Sequence, residues 1–216
     1  MIRLSTTTLE SYRLWRDQDW MPEAELLATF RGEFVPTPAV LAGQAFGAAL
    51  ERPDRYRVPG GYRIPTRDRA QVYTIDEAVF APALALMDHT HGVFEVKAEK
   101  TYGDARVVGV ADQLVGDHLI EHKTTSAFDA DKYLESSQWR FYADLFDVST
   151  VTYHVFVLND HGNGVLEIRS IETLSLYPYP ALHDDCAALV RDCQAYVRLR
   201  GLEALLRRRQ QQAEAA

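Results

Sequence analysis

The chain has 216 residues and a mass of 24.5 kDa, the size of one ordinary domain. Hydrophobic residues make up 47% and charged residues 25%, which excludes disorder and low complexity for most of its length. With 23 basic and 31 acidic residues the net charge is −8, so the chain does not coat nucleic acid by bulk charge, although a local basic patch or a bound metal ion could still meet phosphate.

No run approaches the roughly 20 apolar residues of a membrane span. Residues 1–20 carry Arg3, Glu10, Arg13, Arg16, Asp17 and Asp19 and lack the apolar core of a signal peptide. A soluble, cytoplasmic protein without a membrane partner is expected. It should form one domain over residues 1–209, with 210–216 as a frayed tail.

Leu4 to Trp20 reads as a helix, with cap candidates in Ser5-Thr6-Thr7-Thr8. Pro22 to Phe30 reads as a second helix. Pro38 opens a third, to about Glu51, with Ala42, Ala45 and Ala49 on one face. Residues 52–70 then read as a loop or loose hairpin, punctuated by Pro53, Pro59, Gly60, Gly61 and Pro65. The stretch holds Arg52, Arg55, Arg57, Arg63, Arg67 and Arg69 against Asp54 and Asp68, with Tyr56 and Tyr62 interleaved. It is either a solvated surface loop or an arginine and aromatic surface for single-stranded nucleic acid.

Ile75 to Met87 reads as an apolar helix. From Val93 the period changes to two, giving strands at Val93–Lys100, Arg106–Val115 and His118–Lys123. Asp129 to Phe146 returns to helical spacing. Strands at Thr150–Leu158 and Gly164–Ile171 follow, turning at Asn159-Asp160-His161-Gly162. Tyr179 to about Arg209 is helical, with Gly201 as a weak point.

The second and third strands carry the chemistry. Gly116-Asp117 suits a two-residue hairpin turn, because glycine tolerates the positive φ that such a turn needs. Val115 then pairs with His118, and Asp112 falls opposite Glu121. Cross-strand neighbours have Cβ atoms about 4.5–5.5 Å apart. Alternation places Lys123 on the face of Glu121, with Val110, Leu114 and Leu119 around them. Two facing carboxylates in apolar surroundings repel unless one is protonated or a cation lies between them. Lys123 offsets one charge, and a hard divalent ion would satisfy both. The plainer alternative is a half-exposed pair of polar strand residues.

The wider pattern resembles a known family. Gly109-Val110-Ala111-Asp112 followed by Leu119-Ile120-Glu121-His122-Lys123-Thr124 resembles the PD-(D/E)XK nuclease superfamily. Gln138-Trp139-Arg140-Phe141-Tyr142 is similar to the QxxxY motif of its RecB-like and lambda-exonuclease-like branch. Leu4 to Tyr12 resembles the opening helix of RecB-like domains. The resemblance spans roughly residues 4–172 and implies an α/β, restriction-endonuclease-like core of order αβββαβ. In it a mixed central sheet is flanked by helices, with extra helices at both termini.

The resemblance also implies a metal-dependent DNA nuclease, more exonuclease than endonuclease. Asp112, Glu121 and the backbone carbonyl of His122 would ligate Mg²⁺ or Mn²⁺. Lys123 would orient or help deprotonate the attacking water and stabilise charge on phosphorus. Gln138 would hold Lys123 or phosphate, Tyr142 would lie along the DNA path or simply belong to the core, and Thr124 would donate to phosphate. DNA is the implied partner, with a helicase or single-strand annealing protein beside it, and a homo-oligomer is compatible with the family. An alternative is an impaired nuclease fold serving as a DNA-binding or assembly subunit, and a further one is an endonuclease of the same fold.

Two departures stand out. The family's ligand on the helix before the sheet falls at Gly47, with Glu51 one turn on, Gln44 one turn back, and Glu77 or Glu95 as other substitutes. Cys186 and Cys193 are too few for the four-cysteine iron–sulfur cluster of some relatives, so none is expected. His89-Thr90-His91 with Asp88, and His118 with His122, lack further partners at zinc spacing and read as structural or surface residues. No phosphate-binding glycine loop or serine-nucleophile motif is present. Arg207-Arg208-Arg209 reads as the basic end of a helix, with a DNA-contacting tail as the second reading.

Overall fold

The structure is a computed structural model. It describes every residue except 19–20, 67–68, 88–89, 161–162 and 216; residues 160 and 212–215 are described by backbone alone. Trp20, Arg67, Asp68, Asp88, His89, His161 and Gly162 therefore lie outside the described residues.

The chain opens on a strand, β1 (Ile2–Ser5), where a helix was expected from Leu4. Ile2 and Leu4 are buried while Arg3 and Ser5 are less so, a period of two over too few residues to outweigh the helical pattern behind it. Ser5 closes the strand and caps α1 (Thr6–Asp17), its hydroxyl accepting from the Thr8 amide at 3.0 Å. Next come α2 (Glu23–Arg31), ended by Gly32 at φ +73°, and α3 (Pro38–Glu51), capped by Thr37.

The arginine-rich stretch is more ordered than a loop. It forms α4 (Pro53–Tyr56), β2 (Arg57–Val58) and β3 (Gly61–Pro65). β4 (Val72–Asp76) completes a three-stranded antiparallel sheet with them. The helix expected from Ile75 starts only at Glu77, as α5 (Glu77–Leu84), because Asp76 ends the strand and caps the helix. Tyr62 is only 2% exposed and packs with Phe46, Tyr73 and Phe80, so it offers no face to a nucleic acid base. Arg57 pairs with Glu77 and Arg52 with Glu95. Of the two tyrosines of that surface, Tyr62 is thus spent on the core and Tyr56 is half-buried against it.

The main sheet has six strands: β1, β5 (Val93–Tyr102), β6 (Ala105–Val115), β7 (His118–Thr125), β8 (Thr150–Asp160) and β9 (Leu166–Leu176). The helix expected over 129–146 is two, α6 (Ala130–Glu135) and α7 (Ser137–Phe146). Ser136 breaks them apart and caps α7. α8 (Leu182–Leu199) and α9 (Glu203–Ala215) are likewise separated at Gly201, which has φ +65°. Residues 210–215, within the stretch expected to fray, continue α9, so Arg207, Arg208 and Arg209 lie inside a helix and not at its end. Arg209 Nη1 donates to the Phe30 carbonyl at 2.5 Å, closing the C-terminal turn of α2.

The sheet is mixed. β1 runs parallel to β6, β7 runs parallel to β8, and the other pairs are antiparallel. Alternation along β8 sends Val151, Tyr153 and Val155 to the cluster under α7, and Phe156 and Leu158 to the cluster under α3 and α5. Helices cover both faces, and the order of helix, β5–β6–β7, helix, β8 is the restriction-endonuclease-like order expected. Among the described residues no helix is long and apolar enough to cross a membrane.

One detail of the topology positions everything that follows. β5 lies along one whole edge of β6, pairing from Ala105 to Leu114. The other edge is shared. β1 pairs with Ala105 to Val108, and β7 pairs with Gln113 to Val115. Between them residues 109–112 have no strand on that edge. Backbone groups that lose a ladder must be satisfied by other means.

Candidate active site

Side chains fill that gap. The Glu121 carboxylate accepts from the Asp112 amide at 3.4 Å. Asp112 Oδ2 accepts from the His122 amide at 2.7 Å. Tyr142 Oη lies 3.0 Å from the Val110 carbonyl and 3.3 Å from Glu121 Oε1. The hairpin register is the one expected, with Val115 beside His118 and Gln113 beside Ile120. The ladder then stops one pair short of Asp112 and Glu121, and the two carboxylates hold the opened strands by reaching across to backbone.

Glu121 is 4% exposed. Burial pushes its pKa up, and Asp112 adds to the rise, while Lys123 opposes it. Burial also raises Asp112, against Lys123 and the His122 amide, with Glu95 adding repulsion. Lys123 Nζ donates to Glu121 Oε1 at 2.7 Å and to Gln138 Oε1 at 2.9 Å. Burial lowers the lysine pKa, but Glu121 and the surrounding tyrosines and Asp112 outweigh it, so Lys123 stays above its ordinary value. The two partners respond differently because Glu121 is also repelled by Asp112, whereas every charge near Lys123 attracts it. Lys123 is therefore a cation at neutral pH, and Glu121 is the group more ready to hold a proton.

α7 closes the site from above. Gln138 and Tyr142 lie one turn apart, and Gln138 Nε2 donates to Tyr142 Oη at 2.9 Å. The chain Lys123–Gln138–Tyr142–Val110 thus ties the helix to the fork. Gly109 allows it: a Cβ there would stand 2.9 Å from Leu145 Cδ1 and 3.0 Å from Tyr142 Cε1. Burial keeps Tyr142 protonated by raising its pKa, as does the nearby Glu121.

Two expected details differ. Val110, placed with the buried face, is 48% exposed, because its strand lies at the open gap. Thr124 points to the other side of the sheet. A Cβ on Gly43 of α3 would stand 2.4 Å from its Oγ1, so Thr124 supports that helix and is turned from Lys123. His122 also faces that side, beside His154 and Phe156 at ring separations of 5.5 and 6.0 Å. Burial drives its imidazole pKa down to about 3, and among the described residues neither ring nitrogen has a hydrogen-bond partner.

Gly47 has open space where a side chain would stand. Glu51, one turn on, is half-buried; burial raises its pKa, and Glu95 and Asp112 add to the rise. Glu51, Glu95, Asp112 and Glu121 therefore crowd negative charge around the fork. Carboxylates and a peptide carbonyl are the donors that hard divalent ions prefer, and one such ion would relieve this repulsion. The donor set fits in kind and in charge. Among the described residues no three acid, histidine or cysteine side chains yet converge as ligands of one ion.

Sequence reasoning missed two residues that shape the site. Glu10 on α1 accepts from the Ser137 amide at 2.7 Å and its hydroxyl at 2.6 Å, and pairs with Arg13, fixing the N-terminus of α7. Tyr153 of β8 is buried with its ring 5.7 Å from Lys123 Nζ. Both act across long sequence separations, so that nothing local to either residue shows its partner.

No family model matches the chain, and no curated protein matches it. Three solved structures are among those the chain is similar to. SSO0001 has a TM-score of 0.49 and 13% identity, over 92% of this chain and 77% of that one. LHK-Exo in complex with dAMP has a TM-score of 0.48 and 14% identity, over 98% and 93%. A phage-related exonuclease from Haemophilus somnus 129PT has a TM-score of 0.39 and 14% identity, over 61% and 68%. At such identities a likeness concerns fold and leaves activity open.

Proposed function

We propose that the protein is a metal-dependent DNA nuclease, with exonucleolytic cleavage at DNA ends as its main activity. The observation that carries this is the strand fork, where Asp112, Glu121 and Lys123 meet under Gln138 and Tyr142. A simple structural ion pair would not need a second, partly buried carboxylate at the same spot.

Asp112, Glu121 and the His122 carbonyl are the groups that would hold Mg²⁺ or Mn²⁺, with Glu51 and Glu95 the nearest carboxylates to make up for Gly47. Such an ion supplies Lewis acidity and a more acidic water. Lys123, held cationic, neutralises charge developing on a phosphodiester oxygen. It would also orient the attacking water. Glu121, as one of the groups holding that ion, would help place the attacking water beside the phosphodiester. Gln138 fixes the lysine ammonium, and Tyr142 fixes both Gln138 and the fork. Val110, exposed beside them, marks the open side from which a strand would enter.

The test is degradation of end-labelled linear and covalently closed circular DNA with Mg²⁺ or Mn²⁺. Loss of linear DNA alone, abolished by Lys123→Ala, is expected, with a fall of about 10²-fold or more from removing one charge-stabilising group. Cutting of circles would make the enzyme an endonuclease. Inertness of the wild type with both ions would overturn the proposal in favour of a binding subunit.

A further inference from the structure

A row of aromatic rings leads from the lysine to the surface. Lys123 Nζ lies 5.7 Å from the Tyr153 ring centroid. Tyr153 and Tyr133 are 5.6 Å apart at 57°, and Tyr133 and Phe128 are 5.9 Å apart at 16°, nearly parallel. The first two rings are buried, whereas Phe128 is 36% exposed. Its loop is pinned at both ends. The Ala127 amide donates to Thr125 Oγ1 at 3.2 Å, and Asp129 caps α6 by accepting from the Asp131 amide at 3.1 Å. Phe128 is therefore an exposed ring, held flat against a buried one, on the loop that directly follows the catalytic strand.

We infer that Phe128 is a stacking platform for an unpaired nucleobase next to the scissile phosphate. This rests on the nuclease proposal. A base is the occupant the surroundings favour. Asp129 and Asp131 follow Phe128 closely in the chain and would repel a phosphate, whereas a neutral π-face stacks on phenylalanine whatever its sequence. Lys132 Nζ, 6.0 Å from the Tyr133 ring centroid, is the near cation available to the adjoining backbone. A paired base hides its faces within the duplex, so the platform takes a strand that is single or frayed at its end.

The experiment compares oligonucleotides with a normal or an abasic nucleotide beside the cleaved bond. Base stacking on an aromatic side chain is worth about 1–3 kcal/mol, so the wild type should cleave the normal substrate at least about fivefold more efficiently. It should also bind a fluorescein-labelled normal oligonucleotide more tightly than the abasic one in Ca²⁺, read by anisotropy. Phe128→Ala should erase both preferences while keeping its melting temperature, and Phe128→Trp should keep both. If the wild type cleaves DNA and Phe128→Ala discriminates as well as it does, the platform is refuted and the nuclease stands. If the wild type neither cleaves nor binds any of these oligonucleotides, the nuclease proposal fails, and the platform fails with it.

Discussion

The His122 amide donates to Asp112 Oδ2, 2.7 Å away, at the point where β6 and β7 part. A carboxylate here replaces a ladder carbonyl. Its charge is held by backbone, yet it remains beside Glu121 and within the field of Glu95 and Glu51. The fork is thus both a satisfied backbone and a concentrated negative charge.

That balance sets the response to metal. Asp112 has a folded pKa raised above 3.8 by burial, with Glu95 contributing. Its ionisation therefore opposes folding, and stability falls as pH rises through the folded value. Asp112→Asn should melt no lower than the wild type in EDTA at pH 8. Mn²⁺ should raise the wild-type melting temperature, because a ligand bound only by the folded state stabilises it, and should leave the variant unmoved. Differential scanning fluorimetry with and without Mn²⁺ reads both. An equal rise in the two proteins would place the ion elsewhere.

Gly109 is required by the Tyr142 ring and not by backbone conformation. Gly109→Ala would put a methyl 3.0 Å from Tyr142 Cε1 and 2.9 Å from Leu145 Cδ1. Overpacking of this kind costs about 1–3 kcal/mol. Urea denaturation should show that loss, and nuclease activity should fall further than stability explains, because the displaced ring releases Gln138 and hence Lys123. Gly109→Ala activity equal to wild type would show that α7 does not set the lysine.

Glu10 anchors α7 from a different helix. Burial raises its pKa, but Arg13 and Ser137 outweigh this and hold it below 4.5. A depressed carboxylate stabilises above its unfolded pKa and loses that contribution as pH falls through the folded value. Glu10→Gln should therefore cost about 1–3 kcal/mol at pH 7 by leaving Arg13 and Ser137 poorly met. The difference from wild type should shrink below pH 4, as chemical denaturation across pH would record.

His122 is neutral in the fold, its pKa lowered from 6.5 to about 3 by burial first, then by His154 and Lys123. The unfolded chain binds a proton below pH 6.5 that the folded one refuses, so stability falls as pH drops from that point toward 3. His122→Phe, beside Phe156, should flatten this slope by about 1.4 kcal/mol per pH unit between pH 6 and 4. Its amide still donates to Asp112, so nuclease activity at pH 8 should persist. An unchanged slope would mean that the folded chain lets the imidazole take up its proton as readily as the unfolded one.

The local sequence determined the hairpin. Glycine at 116 sets the turn, the turn sets the register, and the register brings Asp112 to Glu121 with Lys123 one alternation away. α3 and the spacing of Gln138 and Tyr142 were equally legible, because capping and helical period are local properties. β1, β4 and the break at Ser136 were not, since short strands and paired helices depend on neighbours remote in sequence. Tertiary structure alone decided that β1 and β7 share one edge of β6 and leave residues 109–112 between them. It also decided that Tyr62 is core, that Thr124 faces α3, and that Glu10 grips α7. The physical reason is burial. A pattern of residue types states which groups are apolar or charged, but only the packed chain fixes which carboxylates lose water together and which backbone groups must turn to side chains for their hydrogen bonds.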